Sequence, residues 1–109
     1  MMKEVLFHEK ARGVVREFSS SVKDNVGLLL RRLQEGEVLV FPDSRPMPDI
    51  EHGAHELRVK DADGIYRVFY YMKSAKGILV FHAFTKKTQA TPQREIKLGK
   101  KRLWEMLNR

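Results

Sequence analysis

Apolar positions recur with a helical period in the first third of the chain and with a strand period after residue 54. Lys3 to His8 reads as a short strand, and Glu9 to Phe18 as a helix with Ala11, Val14, Val15 and Phe18 on one face. Gly13 weakens that helix. Ser19 to Ser21 break the pattern, and Ser21 followed by Asp24 signals an N-cap with an acidic first turn. Val22, Val26, Leu29, Leu30 and Leu33 then keep the helical period, Lys23, Arg31 and Arg32 fall off the stripe, and Gly36 is placed to end the helix. A helix hairpin is predicted.

Val38 to Ile50 holds three of the four prolines and reads as a connecting loop. The period then becomes two. Strands are predicted at Ala54 to Lys60, Ile65 to Met72 and Ile78 to Phe84, with turns at Asp61 to Gly64 and Lys73 to Gly77. Thr85 to Ala90 is a polar loop. Thr91 as N-cap and Pro92 as first helical residue open a last helix to about Asn108, with Ile96, Leu103, Trp104 and Leu107 facing the body. The fold class is α+β: an N-terminal strand, a helix hairpin, a three-stranded antiparallel meander and a C-terminal helix.

The turns also fix strand register. Asp61 opposite Gly64 sets Lys60 against Ile65, Arg58 against Arg67 and Glu56 against Phe69. Ser74 opposite Gly77 sets Phe69 against His82 and Arg67 against Phe84. Alternation then gives an apolar face of Leu57, Val59, Tyr66, Val68, Tyr70, Leu79, Phe81 and Ala83. The opposite face carries Glu56, Arg58, Lys60, Arg67, Phe69, His82 and Phe84, joined by Lys86 if the strand continues.

Charge gives that second face its interest. Lys and Arg number 21 against 14 Asp and Glu, a net charge of +7, with a pI near 9.9. Such a field favours polyanions. Two arginines directly opposite each other destabilise a sheet unless water or a carboxylate such as Glu56 relieves them. An anion pocket makes better use of them, because paired guanidiniums match phosphate oxygens and nearby Phe84 and Phe69 offer surfaces for unpaired bases.

Other chemistry is excluded or weak. The 109 residues suit one domain, residues 1–109, with no room for two cores. No cysteine is present, which removes disulfides and thiolate metal sites and suits the cytoplasm. The first residues do not form a signal peptide, and no apolar run reaches the roughly 18 residues that span a bilayer. His52 and His55 lack a third partner for a metal, and no phosphate loop or nucleophile elbow occurs.

The ordered series Glu56-Leu57-Arg58, Ile65-Tyr66-Arg67-Val68, His82-Ala83-Phe84, Lys86-Lys87-Thr88-Gln89, Thr91-Pro92 and Glu95-Ile96 supplies a further indication. From Glu56 to Leu107 the chain resembles the phage-derived, HigB-like branch of the RelE toxin superfamily, and the N-terminal half matches in layout. The resemblance implies a microbial RNase-like fold and a toxin held by a cognate antitoxin, often a helix-turn-helix protein. It implies metal-independent, cofactor-free cleavage of mRNA in the ribosomal A site, by attack of a ribose 2′-hydroxyl on the adjacent phosphate. Arg58, Arg67 and Lys86 then become the catalytic residues, and Lys60, Phe84, Lys87 and Gln89 the substrate-binding ones. The general base is left between His82 and Glu56. A non-catalytic RNA- or ribosome-binding module and a degenerate phage remnant are the competing expectations.

Overall fold

The structure, a computed structural model, describes residues 2–87 and 90–109. Strand β1 (Val5–Phe7) leads into α1 (Glu9–Arg16) and α2 (Ser20–Gln34). After them come β2 (Ser44–Pro46), β3 (Ala54–Asp61), β4 (Gly64–Ser74), β5 (Gly77–Lys86) and α3 (Gln93–Leu107). The strands form one mixed sheet in the order β1-β5-β4-β3-β2, with β1 parallel to β5 and the other pairs antiparallel. The predicted meander is therefore the middle of a five-stranded sheet. Its outer members were read as an isolated strand and as part of the proline loop. Pro46 is tolerated in β2 because that strand is the edge.

Local chemistry explains the helix ends. His8 caps α1, its Nδ1 accepting from the Lys10 N–H at 3.2 Å. Ser19, not Ser21, caps α2: its Oγ accepts from the Val22 N–H at 3.4 Å, so the helix starts two residues earlier than the Ser21–Asp24 signal suggested. Gly36, at φ +95°, ends α2 in a Schellman arrangement, with Gly36 N–H on the Leu33 carbonyl and Glu37 N–H on that of Arg32. Pro92 sits one place earlier than expected, at the N-cap of α3, and makes no side-chain cap.

Both faces of the sheet are covered. Helices α1 and α2 bury Leu57, Val59, Tyr66, Val68, Tyr70, Ile78, Val80 and Ala83 against Val22, Val26, Leu30 and Leu33. On the other side α3 buries Phe69, Leu79, Phe81 and Phe84 against Ile96, Leu103 and Met106. Two apolar clusters thus share one sheet, where a single core was expected. Leu79 and Phe81 lie on the α3 side, contrary to their expected face. Phe69 pairs with His82 but Tyr70 pairs with Val80, so Phe81 is an extra residue in β5, and a second irregularity restores Ser74 opposite Gly77. Because Ile78 to Phe81 is apolar throughout, alternation had nothing to read there.

Helix α3 presents Ile96, Gly99, Leu103 and Met106 to the sheet. Trp104 and Leu107, expected to face inward, are 65% and 44% exposed. Gly99 allows the close approach: a Cβ there would lie 3.0 Å from Phe69 Cδ2. Since α3 covers only part of its face, the rest of that face is left for the polar residues of β3, β4 and β5.

Candidate functional site

The β3–β4 ladder sets Arg58 opposite Arg67, and the β2–β3 ladder sets Arg45 opposite Glu56. Alternation then places Glu56 and Arg58 on the same side of β3. The Glu56 carboxylate is fully buried at the centre of the group. Arg58 Nη1 donates to its Oε2 at 2.9 Å, and Arg45 Nη2 lies 3.2 Å from the same oxygen. Arg67 Nε lies 3.6 Å from Oε1, and Thr91 Oγ1 donates to Oε1 at 3.3 Å. Arg67 is itself 2% exposed, and its Nη1 donates to the Tyr66 carbonyl at 3.2 Å.

Lys86 at the end of β5 completes the cluster. Its Nζ donates to Thr91 Oγ1 at 3.4 Å, so the threonine hydroxyl links the amine to Glu56. Burial, and then the positive charge of Arg67, push the Lys86 amine down to about 8; Glu56 pulls the other way. The same forces act on Arg67, lowered first by burial and then by Arg58, with Glu56 opposing. Four cations surround one carboxylate, so the cluster retains a positive excess that suits an anion.

A cleft of about 490 Å3 opens beside the arginines, lined by Phe41, Pro42, Asp43, Arg58, Lys60, Ile65 and Arg67. Phe41 is 66% exposed, and its ring centroid lies 5.0 Å from Arg58 Cζ, a cation–π distance. The arrangement gathers guanidinium donors, the Lys60 charge and an exposed aromatic ring along one cleft. Paired guanidiniums beside an exposed ring suit an anion such as a phosphate.

A family model described as "Phage derived protein Gp49-like (DUF891)" matches residues 14–104. The chain belongs to this Gp49-like family. Among solved structures, a double arginine-to-alanine mutant of E. coli toxin RelE in the free state superposes with a TM-score of 0.59 at 17% identity. The match covers 97% of the Gp49-like chain and 99% of the RelE chain, so the two share the fold. Among curated proteins, no relative matches.

Of the residues singled out from the Gp49-like sequence, Arg58, Arg67, Lys86 and Glu56 are brought together, and Lys60 lines the same cleft. Lys87 is exposed just past β5, and Gln89 lies outside the described residues. Phe84 is not available to a base: it is 6% exposed, edge-on to Phe69 at 5.3 Å beneath α3. Neither expected base is free to act. Glu56 is enclosed by its four partners. His82 is 2% exposed, with Nδ1 accepting from Arg102 Nη1 at 2.8 Å and Nε2 donating to Glu95 Oε1 at 2.7 Å. Both ring nitrogens are therefore occupied by α3, and burial holds the imidazole below its usual range despite Glu95.

Three contributors escaped the sequence reading. Arg45 and Phe41 sit in the stretch taken for a loop, and Thr91 was read as a helix cap. A lone phenylalanine just before Pro42 and a lone arginine just before Pro46 were the available signal. His52 and His55 are separated in role: His52 Nδ1 accepts from Lys73 Nζ at 2.8 Å, and His55 stacks on Tyr70. Among the described residues no group of three metal-ligating side chains occurs, and no helix is long and apolar enough to cross a membrane.

Proposed function

We propose that this Gp49-like protein is an endoribonuclease toxin of the RelE superfamily, in its HigB-like branch, restrained by a cognate antitoxin of helix-turn-helix type. Its substrate is mRNA in the ribosomal A site, in the cytoplasm. The convergence of Arg45, Arg58, Arg67 and Lys86 around one carboxylate carries the reading. The RelE-like fold and the Gp49-like family support it.

In the reaction, neutral Lys86 takes the proton of a ribose 2′-hydroxyl, and the 2′-oxygen attacks the adjacent phosphorus. The P–O5′ bond breaks, leaving a 2′,3′-cyclic phosphate; the departing O5′ takes a proton from water to become a 5′-hydroxyl, and Lys86 returns its proton to the solvent. Arg67 and Arg58 stabilise the charge that gathers on the non-bridging oxygens. The nucleophile belongs to the RNA, so the chemistry drawn is metal-independent. With its amine near 8, about one tenth of Lys86 is neutral at pH 7. Lys60 and Lys87 hold neighbouring phosphates, and Gln89 a base edge.

A second reading has one observation in its favour: Glu56 already neutralises part of the arginine charge. In that reading the protein binds RNA or the ribosome without cutting. Mapping the 5′ ends of cellular RNA after induction of wild type and of Arg67→Ala separates the two. The nuclease requires growth arrest with cuts inside reading frames for wild type and neither for the variant. Arrest with intact mRNA leaves the binding module, equal arrest by the variant rejects the role given to Arg67, and no arrest leaves a phage remnant.

A further inference from the structure

We infer that the Phe41 side of the cleft is a nucleobase subsite, in which one unpaired RNA base stacks on the Phe41 ring while its phosphate lies on Arg58 and Arg67. The inference rests on the ribonucleic-acid reading of the arginine cluster and adds to it the element that orients the strand.

Phe41 is a large apolar ring left 66% exposed, yet its position is fixed. Asp43 and Ser44 both donate backbone N–H groups to the Val40 carbonyl, at 3.0 and 3.2 Å, closing the loop tightly around it. The Arg58 N–H donates to the Asp43 carbonyl at 2.9 Å and ties that loop to β3. The Arg58 guanidinium, 5.0 Å from the ring centroid and 2.9 Å from Glu56, is held from both sides. A platform braced in this way loses little entropy when a base stacks on it. The phenyl rings that the strand pattern suggested for this task, Phe69 and Phe84, are 0% and 6% exposed under α3. Phe41 is thus the aromatic ring of the cleft that a base can reach.

Charge sets which end of a nucleotide goes where. Arg58, Arg67 and Lys60 bring three positive charges to the lining, and Asp43 follows Phe41 and Pro42 in the same loop. The Asp43 carboxylate, partly neutralised by Arg32 Nη1 at 3.7 Å, is the one negative group among the described residues of that lining, so a phosphate is drawn to the guanidiniums and the ring is left to the neutral base. At about 490 Å3 the cleft falls within the 300–1,000 Å3 usual for small-ligand sites.

Trp104 is the single tryptophan and is exposed on α3, away from the cleft, so a fluorescent probe can be moved. Phe41→Trp combined with Trp104→Phe puts the only indole in the subsite. The probe is an uncleavable 2′-O-methyl hexaribonucleotide of mixed sequence, together with six versions that each lack one base. The intact oligonucleotide is expected to quench the indole saturably, and loss of one particular base to weaken binding about tenfold, within the range for stacking one base. Phe41→Ala and Phe41→Leu are expected to bind intact and abasic strands alike. Leucine keeps apolar bulk, so a Leu variant that retains the base preference overturns stacking as the cause. Quenching that no oligonucleotide produces, or that all seven produce with equal affinity, overturns the subsite. Since the strand cannot be cut, base-dependent binding by a protein that never cleaves RNA preserves the subsite and defeats the nuclease. Undiminished cleavage of ribosome-bound mRNA by Phe41→Ala preserves the nuclease and defeats the subsite.

Discussion

Glu56 and Arg58 stand two residues apart on β3, and the fully buried carboxylate of the first accepts a 2.9 Å hydrogen bond from the second. The same carboxylate lies 3.2 Å from Arg45 and 3.6 Å from Arg67, so one anion sets the spacing of three guanidiniums. Glu56→Gln keeps the shape and removes the charge. Breaking a buried ionic group by removing one partner costs about 3–5 kcal/mol, and the amide recovers part of that, so a loss of about 2–3 kcal/mol in urea unfolding is expected. An unchanged midpoint would show that the arginines hold their places without the carboxylate.

Lys86 gives the proposed cleavage a recognisable pH dependence. As the base, it acts only when neutral, so the single-turnover rate is expected to rise tenfold per pH unit and to level off above about 8. Glu56 raises the lysine's affinity for its proton, so Glu56→Gln moves the plateau to lower pH. A rate that is flat from pH 6 to 9 assigns proton transfer to another group. Arg67→Ala lowers the plateau about a hundredfold, equivalent to about 3 kcal/mol of barrier, and moves its midpoint to higher pH, because the guanidinium's charge helps hold the Lys86 amine down.

The same amine opposes folding. Its affinity for a proton falls from 10.5 in the unfolded chain to about 8 in the native one. Between those values the unfolded chain holds more protons, so this group's contribution to stability becomes more favourable as pH rises from 8 to 10.5. Below pH 8 the full cost of the buried charge is present. Lys86→Met is therefore expected to raise the urea midpoint at pH 7, by less at pH 10, while abolishing cleavage. A midpoint that falls at pH 7 would mean that the lysine's contacts outweigh its burial.

The sheet face was legible because two short turns fix register, and Arg58 opposite Arg67 follows from counting back from Asp61 and Gly64. Counting failed where a bulge intervened, at Phe81, since an all-apolar stretch carries no alternation to reveal it. Which part of the face α3 would cover was also hidden. The helix docks through Gly99, whose lack of a side chain leaves no mark in an apolar pattern, and so His82, Phe69 and Phe84 were taken for open positions. Arg45 and Phe41 belong to β2 and the loop before it, which are held by contacts to β3 and have no periodicity of their own.

His82 makes the clasp between β5 and α3 sensitive to acid. Burial lowers its proton affinity below the unfolded value of 6.5, with Arg102 and His8 acting in the same direction and Glu95 against them. As pH falls through 6.5 the unfolded chain takes up a proton that the folded one resists, so stability is complete above 6.5 and declines below it. The urea midpoint is expected to drop between pH 7.5 and 5.5, and His82→Gln to flatten that drop. Glu105, lowered by the hydrogen bond from His8, titrates at more acid pH and leaves this window alone.

Gly99 decides how closely α3 can sit. A methyl group there would meet Phe69 Cδ2 at 3.0 Å, Phe69 Cε2 at 3.2 Å and Phe81 Cε2 at 3.4 Å. Both rings are fully buried and packed 5.8 Å apart, so neither has room to retreat. Alanine in place of a mid-helix glycine favours the helix by about 1 kcal/mol, which the crowding offsets, and Gly99→Ala should be close to neutral. Gly99→Leu adds three more carbons to the same gap and is expected to destabilise by about 1–3 kcal/mol. Lifting α3 also loosens the hydrogen bonds that hold His82 to Glu95 and Arg102. The leucine variant should therefore lose the acid-dependent drop in stability along with its packing. Unfolding curves at two pH values check both effects, and a leucine variant as stable as wild type would place α3 farther from the sheet than these contacts require.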